Sequence, residues 1–146
     1  PKDSPSNLAW VKEKLTRELG EARAIVRFKA DDKAPKFLIT FQGDGGKDGL
    51  SGWNFILIPH GKTEVSARLE RYDRLVYQTE RMPLPEAGES RVLTAALAKE
   101  SFTASLDGLS LFDAVPISSI PGRHRIGFAT WNEDPLIERI ELSRPR

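Results

Sequence analysis

The sequence predicts an all-β protein: a two-sheet antiparallel jelly-roll sandwich with a short N-terminal helix. Three observations indicate this class. A hairpin in the last third of the chain has a recognisable turn, two further strand-like segments close the chain, and apolar residues alternate with polar ones through most of its 146 residues. Roughly nine to eleven short strands with regular turn signals are typical of a sandwich or barrel rather than of alternating helices and strands.

The hairpin begins at Ser101, and its turn is Asp107-Gly108. These two residues can supply both positive-φ positions of a type I′ turn. A two-residue turn at this point puts apolar side chains on one face of both strands, so the register agrees with the hydrophobic pattern. The predicted cross-strand pairs are Leu106 with Leu109 and Ala104 with Leu111.

Residues 1–21 are expected to form a lead-in with a helix, and residues 22–146 to form the sandwich domain. Apolar residues recur at helical spacing through 8–19, which predicts an amphipathic helix. The competing interpretation is an edge strand within the same segment, which would turn Glu13 toward the core.

From Arg23 the apolar period changes to two, and the predicted inward residues are Ala24, Val26, Phe28, Ala30, Phe37, Ile39 and Phe41. The segment 43–49 is too rich in glycine for regular structure. The segment 53–60 is apolar on both faces, as in a central strand that is covered on both sides or lines a groove. The inward set continues with Val65, Ala67 and Leu69 and, after a turn, Leu75, Tyr77 and Thr79. In 92–98 the alanines favour a helix, whereas the position before a hairpin favours a strand.

Composition is that of one ordinary globular domain, with 39% hydrophobic and 29% charged residues. The net charge of +1 argues against a dedicated nucleic-acid-binding protein. It also gives no reason to expect an anionic membrane as a partner. No apolar run approaches the ~18 residues of a membrane span. The absence of cysteine excludes disulfides and thiolate metal sites. A chain that starts at Pro1 is expected to be a mature form or an excised domain, so the lack of a signal peptide is uninformative.

The order of the strand-like segments resembles that of concanavalin A-like jelly rolls, a group that includes laminin-G-like modules and bacterial 3-keto-disaccharide hydrolase-like domains. The segments that carry the resemblance, within 22–144, are Ala22-Arg-Ala-Ile-Val-Arg-Phe-Lys, Gly52-Trp-Asn-Phe-Ile-Leu, Phe102-Thr-Ala-Ser-Leu-Asp-Gly, Gly122-Arg-His-Arg-Ile-Gly-Phe-Ala-Thr and Ile137-Glu-Arg-Ile-Glu-Leu. The resemblance implies two curved sheets, a concave face that often binds glycans, and use as an accessory module of larger secreted proteins. It therefore favours a secreted or periplasmic location.

Aromatic and polar side chains on the middle and closing strands predict a glycan-binding groove, because the apolar face of a sugar ring stacks on an indole or phenol ring. The predicted ligand-binding residues are Trp131, Asn132, Tyr72, Tyr77, Arg68, Asn54 and Gln78. The alternative for Trp131 and Trp53 is a position in the core or at its rim, since tryptophan is highly buried on average.

Asp44 and Asp48 in the glycine-rich loop are candidate Ca²⁺ ligands, with a solvated loop as the alternative. His60 and His124 lack further ligands at zinc-site spacing and are expected to be structural or rim residues. No serine lies in a nucleophile elbow. The resemblance also includes retaining β-glucanases with a Glu-x-Asp-x-x-Glu strand, and this sequence has no such pattern.

The leading hypothesis is therefore a non-catalytic carbohydrate-binding module that uses the concave sheet face, with a glycan or oligosaccharide as partner and no cofactor beyond Ca²⁺. One alternative is a structural or protein-interaction domain that contacts other domains of a larger extracellular protein. A second alternative is a glycan-active hydrolase or lyase-like enzyme, for which no catalytic residue is identified.

Overall fold

The computed structural model describes residues 7–10, 21–29, 36–43, 51–86, 88–120, 125–130 and 137–143, and every regular element in these segments is a strand. The strands are β1 (Asn7–Trp10), β2 (Ala22–Lys29), β3 (Phe37–Gly43), β4 (Trp53–His60), β5 (Glu64–Arg71), β6 (Arg74–Gln78), β7 (Met82–Pro83), β8 (Ser90–Leu97), β9 (Ser101–Leu106), β10 (Leu109–Pro116), β11 (Arg125–Thr130) and β12 (Ile137–Ser143). The described segments contain no helix of the length and hydropathy needed to cross a membrane.

The strands form two antiparallel sheets. The seven-stranded sheet has the order β1-β11-β3-β4-β5-β6, with β7 also paired to β5. The five-stranded sheet has the order β10-β9-β8-β2-β12. The chain crosses between the sheets at each step from β1 to β3 and again after β7, β10 and β11, which is sandwich topology. The predicted all-β two-sheet class is confirmed.

The core between the sheets is filled by alternate residues of nearly every long strand. Phe28 packs edge-on against Phe37 with ring centroids 5.2 Å apart, and Phe55 lies 5.6 Å from Phe102. The predicted inward residues that the structure confirms in this core are Ala24, Val26, Phe28, Phe37, Ile39, Phe41, Val65, Ala67 and Leu69. Ala30, also predicted inward, and the turn after it lie outside the described residues.

Strand β4 is buried on both faces, as its sequence predicts. Phe55 and Leu57 belong to the core between the sheets. Ile56 packs with Leu38 and Ala129 in a second apolar cluster on the outer face of the seven-stranded sheet. Trp53 is only 5% exposed and its Nε1 donates to Ser118 O at 2.9 Å, which confirms the core alternative for this tryptophan.

The hairpin prediction is confirmed at its turn and wrong further along. Asp107 and Gly108 have φ angles of 49° and 84°, and Leu106 pairs with Leu109. Ala104, however, pairs with Phe112 instead of Leu111, because a register shift follows Ser110. Such a bulge places two residues opposite one, and Leu111 and Phe112 are both buried as a result.

The predicted N-terminal helix is wrong for residues 8–10, which belong to strand β1. Leu8 pairs with Ala129 of β11, so this strand is part of the seven-stranded sheet. Pairing with a sheet edge satisfies the backbone groups of a short segment and outweighs its helical spacing. Residues 11–19 of the predicted helix lie outside the described residues.

The ambiguous segment 92–98 is resolved in favour of a strand. Residues 92–97 lie in β8 between β2 and β9, where Ala95 pairs with Ala24 on one side and Ala104 on the other. All three alanines belong to the core between the sheets. Tertiary packing therefore outweighs the helix propensity of the alanines.

Candidate functional site

One half of the outer face of the seven-stranded sheet presents polar side chains to solvent. On β5, Arg68 and Glu70 alternate with the inward Ala67 and Leu69, so both face outward. Cross-strand pairing puts Gln78 opposite Arg68, and Leu75 opposite Glu70. We call Arg68, Glu70, Tyr72, Leu75 and Gln78 the β5–β6 patch.

Arg68 and Glu70 form an ion pair on this face, with 2.9 Å between Nη2 and Oε2. Their side chains are 37% and 18% exposed, so the pair is half-buried yet open to a ligand. Arg68 Nε is buried and has no hydrogen-bond partner among the described residues. A half-exposed ion pair stabilises a fold by at most about 1 kcal/mol. Fold stability alone is therefore a weak reason for this arrangement.

Tyr72, in the turn between β5 and β6, is held in the left-handed region of φ at 59°. Its N–H donates to Gly52 O at 3.0 Å, and its carbonyl accepts from Asn54 Nδ2 at 3.0 Å. The residue is nevertheless 50% exposed. A non-glycine residue in this conformation costs roughly 1–3 kcal/mol and is more frequent at functional sites than elsewhere. These contacts thus hold the backbone of an exposed aromatic residue in one conformation.

Asn54 is itself only 1% exposed. The side chain of this predicted ligand-binding residue is buried beneath the turn and donates to the Tyr72 carbonyl. In contrast to Arg68 and Gln78, Asn54 does not present its side chain to solvent.

A β-bulge creates the apolar part of the patch. The pairing shifts between Leu69 and Glu70, so that Val76 is the extra residue of β6. Leu75 and Val76 are 43% and 39% exposed as a consequence. The expectation that Leu75 shares the inward face of Tyr77 is wrong because of this bulge.

Tyr77 is not brought together with the other predicted residues. It pairs with Leu69, so its side chain enters the space between the sheets. Its ring lies 6.4 Å from that of Phe112, and its hydroxyl donates to Pro116 O at 2.6 Å. These contacts join the two sheets and leave Tyr77 outside the patch.

Four other predicted site residues, Trp131, Asn132, Asp44 and Asp48, lie outside the described residues, as does His124. Within the described segments, no group of three histidine, aspartate or glutamate side chains could hold a metal ion. His60 Nε2 lies 2.6 Å from Ser66 Oγ, a contact between neighbouring strands that supports its structural interpretation.

Sequence reasoning missed Glu70 and Leu75 as site residues. Glu70 had a readable signal, because opposite charges two residues apart on a strand share a face. No sequence pattern indicates that Leu75 is exposed, since its exposure depends on the bulge at Val76.

The chain was compared with known proteins. No protein-family model and no curated protein sequence matches it. Among solved structures, a human galectin-16 variant aligns with a TM-score of 0.57 and 13% identity over 95% of both chains. Sheep galectin-11 aligns with a TM-score of 0.53 and 12% identity over 96% of this chain and 98% of that one. A tetrameric galectin from the sponge Cinachyrella sp. gives 0.56 and 13%, over 93% of this chain and 99% of that one. At this identity the likeness shows the fold alone, a galectin-like β-sandwich.

Proposed function

We propose that this chain is a non-catalytic carbohydrate-binding module and that the β5–β6 patch is its binding site. The observation that carries the proposal is Tyr72, an exposed aromatic residue fixed in a strained conformation two residues beyond the Arg68–Glu70 ion pair. The likeness in fold to galectins, a class of lectin, supports the proposal.

The side chains of the patch match the chemistry of a sugar ring. The Tyr72 ring and the Leu75 side chain offer apolar surface to the C–H face of a pyranose. Arg68 donates N–H groups, Glu70 accepts from hydroxyls, and the Gln78 amide does both. Because Glu70 balances the charge of Arg68, the patch suits a neutral glycan. Hydrogen bonds to ionised groups are stronger than those to neutral groups such as the Gln78 amide, so Arg68 and Glu70 would orient the sugar.

The hydrolase alternative is less well supported by the carboxylates of this face. Glu64 and Glu70 both project outward from β5, six residues apart, which is roughly 20 Å along a strand. Glycosidases need carboxyl groups about 5–9.5 Å apart. The spacing on β5 therefore favours binding over hydrolysis.

Arg68→Ala should weaken glycan binding about 10- to 100-fold, because it removes hydrogen bonds from a charged donor. A glycan array identifies a bound saccharide for the wild-type protein, and calorimetry then compares the variants. Arg27→Ala is the matched control, since Arg27 is exposed on the outer face of the five-stranded sheet. Equal loss in both variants, or no loss in Arg68→Ala, would count against the patch.

Tyr72→Asn should weaken the same binding while leaving the protein at least as stable as the wild type. Asparagine tolerates the left-handed conformation better than tyrosine, so the backbone strain falls. Thermal unfolding and calorimetry on one sample separate the two effects. A variant that loses stability and keeps full affinity would show that the tyrosine serves the fold and not the ligand.

A further inference from the structure

Three of the five large hydrophobic side chains that are exposed within the described segments lie in one hairpin, that of β5 and β6. They are Tyr72, Leu75 and Val76. The first two belong to the β5–β6 patch and contact the sugar in the proposed function, whereas Val76 has no part in it. An exposed apolar cluster with polar side chains at its border is typical of a binding surface.

The exposure of Val76 follows from the register of the hairpin. Glu70 pairs with Leu75, so an unbroken ladder would next pair Leu69 with Val76. Leu69 belongs to the core, and a valine opposite it would be buried between the sheets. In the structure Tyr77 pairs with Leu69 instead, and Val76 is the extra residue of the bulge. The bulge therefore moves an aliphatic side chain from the core to the surface.

The same bulge sets Val76 beside Leu75. Strict alternation would put these neighbours on opposite faces of the sheet. Both instead lie opposite the outward residue Glu70, since a bulge places two residues against one, and both are exposed. Bulges next to active sites re-aim side chains in this way. The patch thus has two adjoining aliphatic side chains directly next to its polar groups.

Aliphatic side chains suit a different part of a ligand from the sugar ring. Leu75 and Val76 have no π face for sugar C–H groups and no polar side-chain atom for a hydroxyl. A sugar hydroxyl that is covered here without a hydrogen-bond partner would weaken binding, whereas an alkyl or aryl group would lose only its contact with water. Because this surface is continuous with Arg68 and Glu70, one ligand can carry both the sugar and the apolar group.

We infer that the β5–β6 patch takes glycosides with a small apolar aglycone and that Val76 contacts the aglycone. This ligand class rests on the proposed function, because Arg68 and Glu70 still hold the sugar. The sugar and the aglycone would lie along the same face of the sheet. That arrangement fits a free glycoside, since the chains of a membrane glycolipid stay in the bilayer.

Hexyl and methyl glycosides of one sugar differ only in the aglycone and are the probes for this test. The panel contains both β-glycosides of glucose, galactose, mannose, xylose and N-acetylglucosamine. For the sugars that bind, calorimetry on the wild-type chain should give a hexyl glycoside affinity about 10- to 100-fold above that of the methyl glycoside, because several methylene groups leave water. 1-Hexanol should bind at least roughly 100-fold more weakly than the hexyl glycoside, since it lacks the sugar.

Substitutions at Val76 test the assignment of the aglycone contact. Val76→Ser should lower the ratio of hexyl to methyl affinity at least about threefold, and Val76→Ile should keep the ratio or raise it, because only isoleucine retains the aliphatic surface. Val92→Ser is the matched control, since Val92 is half-buried on the outer face of the five-stranded sheet. It should leave the ratio unchanged. Arg68→Ala should weaken both glycosides by a similar factor.

Equal affinity for hexyl and methyl glycosides overturns the inference. If Arg68→Ala still weakens both, the proposed function stands without it. A ratio that Val76→Ser leaves intact also overturns the inference, as does binding of 1-hexanol as tight as that of the hexyl glycosides. The same holds if no glycoside of the panel binds, or if binding requires a glycolipid in phosphatidylcholine vesicles. Thermal unfolding of each variant shows that it is folded.

Discussion

Replacing Asp107 with alanine should lower the free energy of unfolding by about 3–5 kcal/mol, because it leaves a buried arginine without its counter-charge. The side chains of Arg91 and Asp107 are 5% and 12% exposed, and Arg91 Nη1 lies 2.8 Å from Asp107 Oδ2. The same nitrogen donates to Pro85 O at 3.0 Å. Asp107 Oδ1 accepts from the N–H of Val92 at 2.7 Å. The carboxylate therefore joins the β9–β10 turn to the start of β8.

Two further variants isolate the charge. Asp107→Asn keeps an acceptor for Val92 and tolerates the left-handed backbone, so it should lose less stability than the alanine variant. Asp113→Ala removes an exposed carboxylate from the same hairpin and should change stability by no more than about 0.5 kcal/mol. Urea unfolding measures all three. A loss under about 1 kcal/mol for Asp107→Ala would show that Arg91 finds another partner or reaches solvent.

Gly52→Ala should lower the free energy of unfolding by about 3 kcal/mol, which is near the upper end of the destabilisation that overpacking usually causes. A Cβ at this residue would lie 1.9 Å from Phe41 O, 2.7 Å from Gln42 C and 2.8 Å from Gly43 N. All three atoms belong to the backbone of β3, so no side chain can rotate away to relieve the contact. Strands β3 and β4 would have to separate at their paired ends. Because Gly52 O accepts from Tyr72, the turn under the patch should also loosen.

Gly88→Ala is the matched control for this prediction. No atom lies within 4 Å of a Cβ built at Gly88, and its φ is not in the left-handed region. Restricting the unfolded chain should leave its stability unchanged or raise it by up to about 1 kcal/mol. If thermal or urea unfolding shows similar stability for both alanine variants, the close approach of β3 to Gly52 is wrong.

The strands that alternate strictly could be predicted from sequence because alternation is local. In β2 and β5 the inward residues and their outward neighbours all lie where the period of two places them. The bulges in β6 and β10 could not be predicted from sequence. Whether a strand accepts an extra residue depends on the room left by the opposing strand, and the local pattern does not contain that information. The strand at residues 7–10 depends on an edge supplied by β11, more than a hundred residues away in the sequence.

The candidate site was predictable to a similar degree. Alternation within each strand puts Arg68 and Gln78 on the outer face, but they lie opposite each other only because of the bulge at Val76, since an unbroken hairpin would pair Arg68 with Tyr77. Tyr77 and Gln78 are adjacent in one strand and must face opposite sides, so they could not both belong to the patch. The conformation of Tyr72 depends on Gly52 and Asn54, whose contacts with the turn exist only once β4 is placed.

The most direct test of the central claim is an NMR titration of the isotopically labelled protein with neutral oligosaccharides at millimolar concentration. Binding at the β5–β6 patch predicts shifts of backbone amides in 66–78, reduced in Arg68→Ala and unchanged in Arg27→Ala. Saturable shifts confined to the five-stranded sheet, or no shifts with any saccharide of a broad panel, would contradict carbohydrate binding at this patch.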